Sequence, residues 1–200
     1  MKTLLVVDGN SILNRAFYGI RTLTNSAGLP TNAVYGLVTM LTKQIEKYAP
    51  DYAAIAFDLH SPTFRHKMYD GYKATRKGMP EELALQMTYA KRVAEALGFT
   101  IIEKEGYEAD DLIATYASKA LEQGLEVTVV SGDKDLMQLI RPGVEFYDPM
   151  KDKFFSPEDV KEKFGVYPDK VVDVQALAGD STDNVPGVPG IGPKTAAQLV

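Results

Sequence analysis

The chain has 200 residues, 45% of them hydrophobic and 24% charged, which fits one globular domain with at most a small appendage. The formal net charge of −5 argues against a nucleic-acid partner unless many of the acids bind metal ions that offset their charge. The absence of cysteine excludes disulfides and thiolate–zinc sites, and the two histidines lie too close together in sequence to supply a spread zinc-ligand set.

Apolar runs and helical periodicity alternate along the first three quarters of the chain. Strands are predicted at 3–8, 52–57, 100–103, 126–130 and near 144–148, and helices at 31–48, 81–97, 108–123 and, in a short form, from 133. This alternation predicts a three-layer α/β/α fold with a mostly parallel central sheet. No apolar stretch reaches 18 residues, and the apolar run at the N-terminus is too short for a signal peptide, so we expect a cytoplasmic protein without membrane association.

A change of character near residue 155 predicts a second, helical part. Ser156 and Pro157 open a helix with a cap and a proline at the first position, and a further helix is expected over 168–178. The remainder is rich in glycine and proline and then helical. We therefore divide the chain into an α/β core at 1–155 and a helical segment at 156–200.

Nine carboxylates fall where a strand or loop passes into a helix. Because the carboxyl ends of parallel strands meet at one edge of a sheet, these acids are expected to lie together there. Each acid alone has a structural explanation as a helix cap or turn residue, but Asp-Asp and Asp-x-Asp doublets exceed what capping needs. Clustered acids require cations among them, and hard divalent metals are the obvious ones. The set comprises Asp8, Asp58, Glu108, Asp110, Asp111, Asp133, Asp135, Asp180 and Asp183.

Two further segments are candidates for nucleic-acid contact. Residues 64–78 carry Arg65, Lys73 and Arg76 beside Tyr69 and Tyr72, so that phosphates could be paired and bases stacked; an ordinary solvated surface is the alternative.

The second candidate is the glycine-rich segment 187–195. It could present amides to a phosphate at a helix start, or it could be a plain turn between helices. Its candidate residues are Gly190, Gly192, Lys194 and Thr195.

Five segments together resemble the 5′ nuclease domains of bacterial DNA polymerases I, in the flap-endonuclease superfamily. They are VDGNSILNRAF, FDLHSPTFRHKMYDGYKATR, GYEADDLIA, SGDKDLMQL and LAGDSTDNVPGVPGIGPKTAAQL, in the family's order and spacing. The resemblance covers essentially the whole chain. It implies a PIN-like or resolvase-like fold, a helical arch at about 60–95 and a helix–three-turn–helix in the glycine-rich segment.

The resemblance also implies the activity and the residues that carry it. All nine acids would bind two Mg²⁺ ions, directly or through water, with Mn²⁺ able to substitute and K⁺ bound at the helix–three-turn–helix. Asp8, Asp58, Glu108, Asp110, Asp111, Asp133 and Asp135, with Lys73 and Arg76, would cleave DNA at a 5′ flap or 5′ end beside a duplex. Arg65, Tyr72, Lys73, Arg76, Gly190, Gly192, Lys194 and Thr195 would contact that DNA.

Such chemistry serves primer removal and repair in DNA replication, and the parent protein would carry a covalently linked polymerase domain. Two other functions remain open: a non-catalytic module that binds DNA junctions, and a PIN-type ribonuclease. The family's domain continues beyond the position equivalent to Val200, so we expect a complete metal site and a weakened grip on duplex DNA.

Overall fold

A six-stranded sheet forms the centre of the molecule, seen here in a computed structural model that describes residues 1–200. The strand order is β3-β2-β1-β4-β5-β6, with the first five strands parallel and only β6 antiparallel. The predicted mostly parallel sheet is therefore confirmed. Its strands are β1 (Thr3–Asp8), β2 (Tyr52–Ala56), β3 (Thr100–Ile102), β4 (Glu126–Val130), β5 (Val144–Asp148) and β6 (Lys153–Phe155).

Helices cover both faces of the sheet, and a small hairpin lies outside it. The helices are α1 (Gly9–Gly19), α2 (Asn32–Tyr48), α3 (Phe64–Met68), α4 (Glu81–Ala96), α5 (Ala109–Glu122), α6 (Pro157–Phe164), α7 (Val171–Ala178) and α8 (Pro193–Leu199). Two 3₁₀ segments, Lys134–Leu139 and Pro168–Lys170, and the hairpin of β7 (Gly179–Asp180) and β8 (Val185–Pro186) complete the fold. No helix has the length and apolarity needed to cross a bilayer.

Strand β1 shows why the sheet is covered on both faces. Leu5 and Val7 pack into one core cluster with residues of α1, α2 and α4, whereas Leu4 and Val6 pack into a second with residues of α5 and the C-terminal helices. Side chains alternate across a strand, so a continuous apolar run supplies both layers at once.

The segment 156–200 shares its core with the sheet. Val160, Val171, Val174 and Ala196 belong to the same buried cluster as the α5 face of β1 and β4. The predicted start of α6 is confirmed in detail: the Ser156 side chain accepts from the backbone N–H three residues later, and Pro157 is the first helical residue.

Four elements differ from the sequence-based expectation. Helix α1 was not delineated, and the antiparallel edge strand β6 was not expected. The helix expected from 133 is a 3₁₀ segment, and the one expected over 168–178 begins as 3₁₀ and becomes α-helical only at Val171. Short elements such as these gain their stability from tertiary packing, which a local sequence pattern does not reveal.

The predicted arch at 60–95 also needs correction. Its second half is α4, which buries Leu83, Gln86 and Ala90 against the α1–α2 layer. The Gln86 amide oxygen accepts from the Ala33 backbone at 2.8 Å, which ties α4 to the start of α2. Residues 60–80, with the single turn of α3, supply no member of the two buried clusters, although Met79 packs against the one on the α1–α2 side. We call residues 69–80 the arch segment.

Gly187 closes the β7–β8 hairpin against the end of α7. A Cβ atom there would meet the backbone of Ala178 and Gly179 closer than real Cβ contacts occur. We expect Gly187→Ala to lower the free energy of unfolding by about 2–3 kcal/mol, measured by urea denaturation, because backbone atoms cannot give way as side chains do. Gly192→Ala is the matched control, since a Cβ there meets nothing within 4 Å and φ is −91°. Equal stability of the two variants would contradict this packing.

Candidate functional site

A cleft of about 690 Å³ opens where the strand order reverses, between β1 and β4. From β1 the chain continues to β2 on one side, while β4 continues to β5 on the other, so loops diverge and leave space between them. Asp8 is the last residue of β1, and Asp133 follows β4. We call this space the acidic cleft.

Seven of the nine predicted acids line the acidic cleft: Asp8, Asp58, Glu108, Asp110, Asp133, Asp135 and Asp183. Asp111 and Asp180 instead line a neighbouring groove of about 660 Å³, which shares four of its acids with the cleft. We call it the side groove. The acids from both ends of the chain are thus brought to one edge of the sheet, but in two adjoining depressions.

Three of the cleft acids also hold the local backbone. In each of them one carboxylate oxygen accepts from an amide at a helix start, the role that capping predicts. The amide of Ser11 donates to Asp8 (2.9 Å), that of Ala109 to Asp58 (2.7 Å) and that of Asp135 to Asp133 (2.9 Å). For Asp58 and Asp133 no hydrogen bond is made to the second oxygen, whereas the second oxygen of Asp8 accepts from Ser131 at 2.6 Å. Capping and a role in the cleft are therefore compatible.

Among the cleft acids, Asp110 is repelled by three neighbouring carboxylates. Burial raises its pKa to about 8, reinforced by the negative charges of Asp8, Asp133 and Asp58, and no hydrogen bond lowers it. Burial likewise raises the pKa of Asp8 to about 6, against the hydrogen bonds from Ser131 and Ser11. These four carboxylates therefore form an inner group that a cation would stabilise.

The inner acids suit a partly hydrated metal ion. They offer only oxygen ligands, which hard divalent cations prefer. No three carboxylates converge closely enough to enclose an ion by themselves. Mg²⁺ normally keeps several waters and takes one or two carboxylates together with phosphate oxygens, so an open acidic floor fits it better than a closed cage would.

Three acids outside the inner group form ion pairs with lysine or arginine side chains of the protein. Lys73 Nζ lies 2.9 Å from Glu108 Oε1, Arg65 makes two bonds of 2.7 Å to Asp111, and Arg76 pairs with Asp183. Three of the nine acids therefore have basic partners within the protein, and metal binding by these three stays a prediction. These pairs join segments far apart in sequence, so spacing alone could not reveal them.

Arg65 and Asp111 form the most complete of these pairs. Although burial acts to raise the pKa of Asp111, hydrogen bonds from Arg65 and from the Glu108 amide hold it below its usual range. Asp111 also closes the capping box of α5 by accepting from the Glu108 N–H at 3.0 Å. Both of its oxygens are therefore engaged, which suits a residue that fixes the helix start.

We expect Arg65→Ala to destabilise the fold by about 2 kcal/mol, since it leaves a partly buried carboxylate without its partner. For a chain of this length that corresponds to a fall in Tm of about 4–8 °C. Arg92→Ala, which removes an exposed arginine of α4 that forms no ion pair, should leave Tm within about 1 °C. A thermal melt followed by circular dichroism tests both, and equal melting temperatures would show that the pair is not stabilising.

Tyr72 does not present a stacking face. It is 7% exposed, its ring meets His66 edge-on, and its hydroxyl donates to Glu108 at 2.9 Å and lies 3.2 Å from Asp183. Burial and the charge of Glu108 raise the pKa of the Tyr72 hydroxyl. The stacking role predicted for Tyr72 is thus corrected to one of support between two acids, whereas Tyr69 remains 43% exposed.

The arch segment is docked on the β7–β8 connection. The Lys73 N–H donates to the Asp183 carbonyl at 2.8 Å, and the Asn184 side chain donates to the Gly71 carbonyl at 2.7 Å. Lys73 has a φ of +55°, a left-handed conformation that costs a lysine free energy. The backbone bond to Asp183 holds this conformation and places Lys73 and Arg76 on the wall of the acidic cleft.

The glycine-rich candidates lie apart from both depressions. Gly190 has a φ of +82°, which favours glycine, whereas Gly192 is extended and precedes the first residue of α8. Lys194 and Thr195 are exposed in the first turn of this seven-residue helix. Contact with DNA at this turn stays a prediction.

Sequence reasoning missed several residues of the cleft wall. Arg15 of α1 pairs with Asp148 at 3.3 Å and donates to the Gly132 carbonyl, which braces the loop after β4. Lys134, Lys151 and Lys163 complete the wall from three other places in the chain. Arg15 and Lys134 lie within two of the segments that carry the family resemblance, VDGNSILNRAF and SGDKDLMQL, whereas Lys151 and Lys163 lie in none of them.

Two sequence profiles match the chain. Residues 3–165 match the 5′-3′ exonuclease N-terminal resolvase-like domain, and residues 166–200 match the 5′-3′ exonuclease C-terminal SAM fold. The chain is 44% identical to a 5′-3′ exonuclease of Aquifex aeolicus, over 100% of this chain and 69% of that protein. It is 49% identical to DNA polymerase I of Rhizobium leguminosarum, over 98% of this chain, and spans only 20% of that relative's length.

The fold is similar to that of a phage enzyme. A crystal structure of the bacteriophage T5 flap endonuclease, described as a pseudo-enzyme–product complex with DNA and metal ions, superposes with a TM-score of 0.78. The match covers 99% of this chain and 74% of that one at 24% sequence identity. The resolvase-like arrangement of a mostly parallel sheet between helices, followed by a helical segment, is thereby confirmed.

Proposed function

Because the chain belongs to the 5′-3′ exonuclease family, we propose that it is a metal-dependent, structure-specific 5′→3′ exonuclease and 5′-flap endonuclease acting on DNA. The observation that carries this proposal is the inner group of carboxylates, which lie together without an ion-pair partner at the reversal of strand order, Asp8 buried and the other three partly buried. Removal of primers and repair during DNA replication is the corresponding role. The profile match, the named relatives and the acidic cleft all support it.

Asp8, Asp58, Asp110 and Asp133 would hold the divalent metal, assisted by Asp135. Two Mg²⁺ ions bound there would supply an activated water and stabilise charge on the attacking and leaving oxygens of a phosphodiester, and Mn²⁺ accepts the same ligands. A hydrogen bond from a backbone N–H fixes one carboxylate oxygen of Asp58 and of Asp133. The second oxygen of each carboxylate is thereby oriented and stays free to bind a metal ion. This arrangement orients ligands without relying on long flexible side chains.

The basic residues of the arch segment would position the phosphate. Lys73 and Arg76 lie on the cleft wall beside Glu108 and Asp183, so a DNA phosphate could exchange with these acids as their partner. Asp111 and Asp180 lie in the side groove. They would bind the metal ions through intervening water molecules, or would only help to keep the cleft in shape. Arg65 and Tyr72 would support the wall instead of meeting DNA directly.

Contacts outside the cleft belong to the same proposal. Gly190, Gly192, Lys194 and Thr195 would hold the phosphates of the duplex beside the cut, with K⁺ bound by carbonyls of this turn. Backbone contacts of this kind position a duplex without reading its sequence. The segment 156–200 would then hold the duplex in addition to contributing Asp183 to the acidic cleft.

The test is cleavage of an end-labelled 5′-flap duplex with Mg²⁺, with Mn²⁺ and with EDTA. We expect products released from the 5′ strand with either metal and none with EDTA. Binding without cleavage in all three conditions would favour a non-catalytic junction-binding module. Preferential cleavage of single-stranded RNA over flap DNA would favour a PIN-type ribonuclease.

A further inference from the structure

Three lysines line one part of the wall of the acidic cleft, and basic residues of the arch segment line another. Lys134 lies in the 3₁₀ segment after β4, Lys151 in the turn between β5 and β6, and Lys163 in the last turn of α6. All three side chains are exposed. They are separated by up to 29 residues in sequence, and the fold alone brings them together.

The positive charge of this wall is largely uncompensated. Lys134 and Lys163 form no ion pair, and Lys151 lies 3.5 Å from Asp148, whose carboxylate is shared with Arg15. Burial, and then the like charges of Lys151 and Lys134, lower the pKa of Lys163. Ammonium groups held close together without acceptors repel each other, and an anion bound among them would relieve that repulsion.

The other wall carries less free charge. Lys73 and Arg76 are paired with Glu108 and Asp183, so of the arch residues in the cleft only Lys77 lacks a carboxylate partner. A DNA strand that enters the cleft also meets an acidic floor that repels its phosphates. The unpaired Lys134 and Lys163, together with Lys151, whose partner Asp148 is shared with Arg15, are therefore the cations best placed to offset this repulsion.

We propose that Lys134, Lys151 and Lys163 form a phosphate-binding strip that holds the backbone of the DNA strand lying in the acidic cleft. This inference rests on the proposed function, since it takes DNA as the occupant of the cleft. Lysine is a flexible point charge without the planar fork that reads base edges, so the strip contributes affinity without sequence preference. It is a third holding element, distinct from the arch segment and from the glycine-rich turn.

The experiment measures binding of a fluorescent 5′-flap duplex by anisotropy in EDTA, from 50 to 200 mM salt. Each lost phosphate contact lowers the slope of log K against log salt by about 0.9 for duplex DNA. We expect the triple variant Lys134→Ala/Lys151→Ala/Lys163→Ala to lose about two to three units of slope and at least tenfold in affinity at 50 mM salt. Lys163→Arg should keep both, because it preserves the charge.

The matched control removes equal charge elsewhere. Lys119→Ala/Lys161→Ala/Lys170→Ala alters exposed lysines of α5, α6 and the second 3₁₀ segment that do not line the cleft. The slope of log K against log salt should stay within about half a unit of the parent's. A larger change in the cleft variant then reflects lost phosphate contacts and not the altered net charge. Thermal melts of both triple variants verify that they are folded.

Two results would overturn the strip. If the parent protein binds the flap duplex and the cleft variant has the control's slope, the strip is refuted while the proposed function stands. If the parent neither binds nor cuts flap DNA, the proposed function fails and the strip fails with it.

Discussion

Replacing Asp110 with asparagine is expected to reduce cleavage of 5′-flap DNA by about 10³-fold while making the metal-free protein more stable. On the proposed function the change would remove a charged metal ligand, and several kcal/mol of transition-state stabilisation would depend on the bound metal. The free energy of unfolding rises, by about 1 kcal/mol, because folding no longer has to bury an acid whose charged form is disfavoured by burial and by Asp8, Asp133 and Asp58. A purely structural acid would not combine these two effects.

Rates measured in single-turnover assays and urea denaturation in EDTA test the two halves of this prediction. A third measurement is the rise in Tm on adding Mg²⁺, which should be present in the parent and much smaller in the variant. Asp173→Asn, at an exposed position of α7, is the control and should leave all three quantities unchanged. An Asp110→Asn variant that is both active and stabilised by Mg²⁺ would remove Asp110 from the metal site.

Lys73→Ala is expected to lower the single-turnover cleavage rate by about 10²–10³-fold while changing the Kd for flap DNA by less than about threefold. The side chain of Lys73 is only 19% exposed, and its Nζ lies 2.9 Å from Glu108 on the cleft wall, where on the proposed function charge would develop on the phosphate. Its ion pair with Glu108 offsets much of its contribution to ground-state binding. The substitution should therefore lower the rate of the cleavage step and leave the affinity for flap DNA nearly unchanged.

Lys77→Ala provides the comparison, because Lys77 follows on the same segment, lines the same cleft and has no ion pair. This variant should weaken binding slightly and leave the cleavage rate within about threefold of the parent. Lys73→Arg should recover part of the lost rate, since the positive charge remains. If Lys73→Ala raises Kd and leaves the rate intact, Lys73 is a binding residue and not a catalytic one.

The strands and the acids at their ends were predictable because both are local properties of the sequence. An apolar run such as 3–8 specifies a strand buried on both faces, and the acid after it must then lie at the sheet's carboxyl edge. The same reasoning predicts that Asp133 and Asp8 lie at the same edge of the sheet. The structure adds that β1 and β4 are neighbours, which a local pattern does not specify.

The partners of those acids were not predictable, since they depend on contacts between distant segments. Nothing near Asp111 indicates that Arg65 engages both of its oxygens, or that Tyr72 is buried between Glu108 and Asp183. The grouping of Lys134, Lys151 and Lys163 was equally unpredictable. These lysines come together only when the segment after β4, the β5–β6 turn and α6 pack against one another. Local patterns gave the positions of the acids, and tertiary packing determined which of them remain unpaired.

In Asp58 and Asp133 one carboxylate oxygen accepts a hydrogen bond from a helix start and the other accepts none. This division of roles bears on how proteins of such a family can diverge. In each, the oxygen that accepts from a helix-start amide could be replaced by the amide oxygen of asparagine, which keeps the cap but abolishes the negative charge. A lineage can therefore lose its chemistry by single substitutions and retain its architecture intact. Resemblance of shape then says little about whether a given descendant still cuts, and the identity of a few oxygen-bearing side chains says much more.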